Sequence, residues 1–74
     1  MRVTLESTSK IVVIDDLPAR VWEGETDSGI QVHAYITRMA IDKDEPRAEE
    51  FSRELLEQRP PSVAVGAIPL RLIL

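Results

Sequence analysis

Hydrophobic and polar residues alternate in short runs over the first half of the chain, a pattern typical of β-strands. Val3 and Leu5 alternate with polar neighbours, which predicts a first strand with one solvated face. Residues 7–9 then form a polar connection. The β-branched run over residues 10–14 is apolar on both faces, so we expect it to be a second strand at the centre of a sheet.

Two aspartates and a proline follow this run. Asp15 and Asp16 predict a two-residue hairpin turn, because aspartate tolerates the positive φ that such turns require. Pro18 cannot donate to a β-ladder, so we expect it at the start of the next strand with its nitrogen facing solvent or an edge.

The clearest local signal is a hairpin over residues 19–37. Two strand-like runs flank Asp27, Ser28 and Gly29, which predicts a three-residue loop with the glycine in a left-handed bulge. This register pairs Trp22 with Ala34, and we favour it because it buries Trp22 and leaves the neighbouring glutamates solvated. A two-residue loop would shift the register by one and exchange the faces completely.

The next regular pattern is helical. Asp44 or Glu45 is placed to cap a helix that has Pro46 in its first turn. Apolar residues at helical spacing predict one buried stripe, with Phe51 in the core. The members of this stripe are Ala48, Phe51, Leu55 and Leu56. Pro60 and Pro61 are expected to end the helix.

Residues 63–74 are apolar and β-branched again, which predicts a last strand or two short ones. The element order β-β-β-β-α-β indicates an α+β fold, with an antiparallel sheet of about five strands and one amphipathic helix packed on it. The chain has 74 residues, so residues 1–74 are expected to form a single small domain. A core of this size is marginal, which favours a partner chain.

Composition narrows the class further. The chain has 43% hydrophobic and 30% charged residues and no cysteine, which fits a soluble globular domain without disulfides. The net charge is −4, and residues 41–59 alone contribute −3 from seven acids and four bases. No stretch provides the basic stripe that non-specific nucleic-acid binding needs, so we expect no direct nucleic-acid contact. We also expect no membrane span and no signal peptide, since the apolar stretches are too short.

The residues offer little for catalysis. His33 is the single histidine, and the favoured register sets it opposite Glu23, a pairing that resembles a base and its orienting group. A solvated cross-strand contact is the commoner meaning of such a pair. One histidine without cysteine cannot build a closed zinc site, and the scattered glycines form no phosphate-binding loop. We therefore expect a protein that is not an enzyme and uses no metal or cofactor.

Binding is the better-supported role. The acidic stretch at residues 42–57 fits a solvated helix face, or a mimic of phosphate that occupies a basic groove on a partner. Tyr35 is the candidate exposed aromatic contact. The candidate binding residues are Arg20, Glu23, His33, Tyr35 and Arg38. The apolar C-terminal stretch must be covered, which predicts a homodimer or higher homo-oligomer with its interface at Leu70, Leu72 and Leu74.

The stretch over residues 18–37, together with the ending Ile68-Pro-Leu-Arg-Leu, resembles small proteins encoded in tailed-phage and prophage genomes. The resemblance implies a phage accessory protein that acts in the host bacterial cytoplasm and neutralises a host factor. That factor is either a defence protein or a small anionic nucleotide signal. The alternative is a structural or assembly protein of the phage virion that acts through oligomer contacts.

Overall fold

The computed structural model describes residues 1–67 and has an α+β fold, as expected. Its centre is an antiparallel sheet of three strands in the order β1-β2-β3. The strands are β1 (Val3–Ile14), β2 (Leu17–Thr26) and β3 (Gln31–Ile36). Two short helices follow, α1 (Ala48–Glu54) and α2 (Val63–Gly66). The described residues therefore form three strands, where the sequence pattern predicted about five.

Both predicted hairpin turns are confirmed. Asp15 and Asp16 have φ values of 50° and 65°, the left-handed conformation that a two-residue turn requires. Gly29 has a φ of 88° and closes the second turn. There the amide of Thr26 donates to the carbonyl of Ile30 at 3.0 Å. Trp22 lies opposite Ala34, so the register of the three-residue loop is the one that forms.

The predicted first and second strands are one strand, β1, and it lies at an edge of the sheet. Residues 7–9 are not a connection: the pairing with β2 shifts between Ser7 and Ile11, which marks a bulge. Three residues of β1 lie opposite one residue of β2 there, so the inward and outward alternation is preserved across the bulge. Residues 10–14 are consequently not central, and Ile11 and Val13 remain 39% and 45% exposed.

The bulge is held by a threonine and by the segment that follows α1. Thr8 is fully buried, and its hydroxyl donates to the carbonyl of Val21 at 2.7 Å and accepts from the amide of Lys10 at 3.2 Å. Arg59 pairs with the outer edge of the bulge, because its carbonyl accepts from the amide of Ser9 at 3.0 Å. The polar residues of the bulge therefore satisfy backbone groups that would otherwise be unpaired.

The buried core lies on the face of the sheet that contains Val21, which we call the core face. The buried hydrophobic residues of this core are Val12, Ala19, Val21 and Val65. Trp22 points to the opposite face and is only half-buried, so the expectation that its face is the buried one is wrong. Contacts between residues far apart in the chain decide which face is buried. α2 and the segment before it cover the core face, and Val65 of α2 completes the core.

The helical region is shorter than its pattern predicted. α1 begins after Arg47, which occupies the N-cap position without a side-chain capping bond, so neither Asp44 nor Glu45 is the cap and Pro46 precedes the helix. Glu45 instead accepts hydrogen bonds from the amide and side chain of Arg47. α1 has no buried residue; Phe51 is half-buried and Leu56 is 80% exposed.

The predicted strand over residues 63–74 begins as a helix instead. α2 is capped by Ser62, whose hydroxyl accepts from the amide of Val65 at 3.2 Å. Capping by serine stabilises the helix start and competes with extended backbone, which outweighs the β-preference of the valines. The remainder of that predicted strand lies outside the described residues.

Candidate binding groove

The face opposite the core carries a groove between β2, the chain after β3, and α1. It consists of two adjoining clefts of about 440 and 230 Å³, and both are lined by Trp22, Met39 and Leu55. We call this surface the Trp22 groove. Met39 and Leu55 are 44% and 41% exposed, so its floor and walls present apolar atoms to solvent.

The two ends of the Trp22 groove differ in charge. Arg20 and Arg38 line the smaller cleft, together with Ile11, Pro18 and Ile36. The charged residues that line the larger cleft are three acids and one arginine: Glu6, Glu54, Glu57 and Arg59. The groove therefore runs from a cationic end to a predominantly acidic end, with aromatic and aliphatic side chains between them.

Arg20 is held in place inside this cleft. Its Nη1 donates to the carbonyl of Thr8 at 2.8 Å, and the residue is half-buried beside Trp22. The bulge of β1 thus supplies the acceptor that keeps the guanidinium over the groove face. Arg38 is exposed at the same end, so these two candidate residues lie in one cleft as a binding role would require.

The other three candidate residues lie on the core face. Val21 pairs with Tyr35 and Glu23 pairs with His33 across the β2–β3 ladder. His33 and Tyr35 pack edge to face, with ring centroids 5.3 Å apart and an interplanar angle of 85°. The five predicted residues therefore form two separate groups, on opposite faces of the sheet.

Glu23 is buried, with 8% of its surface exposed, so the expectation that it remains solvated is wrong. Its Oε1 accepts from Nη1 of Arg59 at 2.7 Å and from the amide of Ser62 at 2.9 Å. Hydrogen bonding by Ser62, then the hydrogen bond and charge of Arg59, lower the pKa of Glu23 below its usual value, although burial opposes this shift.

These bonds bear on the hypothesis that His33 is a general base oriented by Glu23. The register does place His33 opposite Glu23, but the described hydrogen bonds of the carboxylate go to Arg59 and Ser62. Glu23 thus joins the sheet to the chain after α1. We call its contacts with Arg59 and Ser62 the Glu23 clamp. Tyr35 is also less exposed than expected, and burial raises the pKa of its phenol.

Several residues of the groove and of the contacts around Glu23 were not among the candidate binding residues that the sequence predicted. Met39 and Leu55 join Trp22 only because the chain after β3 and the end of α1 fold over the same face. Arg59 bonds to Glu23, which lies 36 residues away in the chain, and no local spacing reveals this contact. The one available signal was Arg20, a charged residue at an apolar position of the alternating pattern beside Trp22.

Residues 1–67 also bear on metal sites and on membrane-spanning helices. Within this part of the chain, no group of three or more metal-ligating side chains lies close enough to hold an ion. None of the described helices has the length and apolar character that crossing a bilayer requires. The predicted interface residues Leu70, Leu72 and Leu74 lie outside the described residues.

Comparisons with known proteins give no family assignment for this fold and groove. No protein-family model, no curated protein and no solved structure matches the chain.

Proposed function

We propose that this chain is a non-enzymatic binding protein whose Trp22 groove holds a segment of a partner protein. In the context implied by its resemblance to phage-encoded proteins, the partner is a host factor of the bacterial cytoplasm that is neutralised by binding. The observation that supports this function best is the convergence of Trp22, Met39 and Leu55, all accessible, in adjoining clefts with two arginines at one end.

The composition of the groove is that of a protein-binding surface. Tryptophan, methionine and arginine are enriched at protein interfaces, and tryptophan and arginine dominate binding hot spots. The Arg20 side chain is already fixed by the Thr8 carbonyl, so it loses little conformational freedom on binding. A rigid anchor of this kind lowers the entropic cost of association.

The charge distribution defines the partner segment. An acidic side chain of the partner matches the Arg20 and Arg38 end, and an apolar side chain matches the Trp22 floor. The chain as a whole has a net charge of −4, so a partner with a basic surface around this segment would associate faster.

The test is affinity capture from bacterial cells with matched charge variants. Arg38→Glu reverses the charge at the groove, whereas Lys43→Glu makes the same change at an exposed residue that does not line it. We expect the wild-type chain and Lys43→Glu to retain one stoichiometric partner that Arg38→Glu and Met39→Asp lose. Equal recovery of that partner by all four proteins would contradict the proposal.

A small anionic nucleotide is the second candidate, because Arg20, Arg38 and Trp22 line one cleft. That cleft measures about 230 Å³, below the roughly 300–1,000 Å³ usual for small-molecule sites, so we favour the protein segment. Native mass spectrometry of the freshly purified protein distinguishes the two. A retained mass of nucleotide size that Arg38→Glu loses would favour the nucleotide over the protein partner.

A further inference from the structure

We propose that the open edge of β3 pairs with β3 of a second copy of this chain. The result is a continuous antiparallel sheet of two three-stranded units, related by a two-fold axis at His33. This inference does not depend on the Trp22 groove, which lies on a face of the sheet, whereas the pairing surface is an edge.

The phase of the hairpin fixes which backbone groups face outward. The amide of Thr26 donates to the carbonyl of Ile30 next to the loop, so hydrogen-bonded pairs recur at every second residue from there. Val32, Ala34 and Ile36 therefore direct their amides and carbonyls towards β2. Gln31, His33 and Tyr35 direct theirs to the open edge, and within residues 1–67 no hydrogen bond reaches these backbone groups.

The two edges of the sheet differ in whether another segment covers them within residues 1–67. The β1 edge is covered at the bulge, where Ser7 and Ser9 bond to the backbone of Arg59. The β3 edge, Gln31–Ile36, contains no Lys, Arg, Asp, Glu, Pro or Gly, and it has no bulge against β2. Natural proteins protect exposed edges with charges, prolines, bulges or covering segments. An edge that has none of these within residues 1–67 is the kind that pairs with another strand.

A second copy fits this edge better than a charged peptide does. Antiparallel pairing about the axis sets His33 opposite His33 of the second copy and Gln31 opposite its Tyr35, so no fixed charges of like sign oppose each other. Val32, Ala34 and Ile36 would continue the apolar groove face across the axis. The described core has only four buried hydrophobic residues, so additional burial through pairing would stabilise the fold appreciably.

The first test is the oligomeric state of the wild-type chain over a concentration series, by sedimentation velocity or light scattering. We expect a dimer that dissociates on dilution. His33→Pro removes an outward-facing amide and no donor of the β2 ladder, so it should give a monomer with unchanged circular dichroism.

A charge swap tests the axis itself without relying on proline. His33→Lys and His33→Asp each place like charges opposite one another across the interface, so each should raise the dimer dissociation constant about tenfold. Mixing the two variants should restore a dimer of one copy of each. Ser52→Lys, at an exposed position on α1, is the control and should dimerise like the wild type.

Three outcomes would overturn the inference. These are a wild-type monomer at all concentrations, a dimer that His33→Lys leaves intact, and a failure of the mixed variants to associate. A wild-type monomer whose Gln31, His33 and Tyr35 amides are protected from hydrogen exchange would show that another segment of the same chain covers the edge. A wild-type dimer that captures no partner from bacterial cells would instead count against the proposed groove function alone.

Discussion

The carboxylate of Glu23 joins two distant parts of the chain. It accepts a hydrogen bond from Arg59 at 2.7 Å and another from the Ser62 amide at 2.9 Å, and these donors lie 36 and 39 residues further along. The same segment places Val65 in the core. Removing one member of a buried, hydrogen-bonded ion pair is costly, because the remaining partners lose a charge-assisted bond.

Neutralising Glu23 should therefore destabilise the fold. We expect Glu23→Gln to lower the free energy of unfolding at neutral pH by about 1–3 kcal/mol, because it weakens charge-assisted bonds. Glu25→Gln, two residues away on the same strand but exposed, should have little effect. Urea denaturation measures both variants, and equal losses would contradict the clamp.

The pH dependence of stability has a defined sign. Folding lowers the pKa of Glu23 below its ordinary value of 4.5, so the ionised form contributes stability above that pH. The contribution should fade as the pH falls below about 4.5 and through the folded pKa. The stability difference between the wild type and Glu23→Gln should narrow in urea titrations over this range. A difference that widens with acidification would refute the assignment.

Gly24 is required by a close approach of two strands. A Cβ at this position would collide with the backbone carbonyl of Thr4 on β1, where Leu5 is its partner. We expect Gly24→Ala to lower the free energy of unfolding by about 1–3 kcal/mol or to separate the strands locally. Gly66→Ala is the control, because its Cβ would meet only Pro61 at 3.6 Å, and it should be neutral or stabilising. Calorimetric melting temperatures of both variants test the contrast.

At the scale of elements, the β1–β2 hairpin contains removable strain. Both turn residues, Asp15 and Asp16, adopt a left-handed φ that Asn-Gly adopts more readily. Replacing Asp15 and Asp16 with Asn and Gly should raise the free energy of unfolding by about 1 kcal/mol, and replacing both with Ala should lower it. Guanidinium denaturation measures the two double variants. A change of the same sign in both would contradict the turn assignment.

The hairpins are also the elements that the sequence predicted best. Turn residues and strand alternation are local, so both turns and the Trp22–Ala34 register followed from the order of residues alone. The choice of buried face did not follow, because it depends on where α2 packs and on Arg59 reaching Glu23. The position of β1 did not follow either, because an apolar run is typical of a central strand and β1 lies at an edge of the sheet.

The candidate site likewise contains contacts that the hairpin register predicted and contacts made by distant segments that it did not predict. Arg20 and Arg38 come together because the β2–β3 hairpin brings the start of β2 beside the chain after β3. Glu23 and His33 became neighbours as the register required, but the partners of Glu23 come from beyond α1. Met39 and Leu55 lie in the groove because of the paths of the chain after β3 and at the end of α1. The alternation of hydrophobic and polar residues does not predict these paths.

At the scale of the whole molecule, the two faces of the sheet have different tasks. The core face contains the buried residues and the Glu23 clamp, whereas the groove face leaves Trp22 half-buried and Met39 44% exposed. Burial contributes free energy roughly in proportion to the apolar area removed from water. Most of the stability should therefore come from the core face, and the groove face should be free to bind.

This division predicts opposite outcomes for two truncations. Val21 is fully buried, so Val21→Ala should lower the free energy of unfolding by about 2–3 kcal/mol and leave partner capture by the remaining folded protein unchanged. Met39→Ala removes exposed groove surface, so it should change stability by less than about 0.5 kcal/mol and reduce capture. Urea denaturation and affinity capture on the same preparations measure both quantities. If Met39→Ala destabilised the fold as much as Val21→Ala, the groove would be part of the core, and its exposed residues would have to be explained by folding and not by a partner.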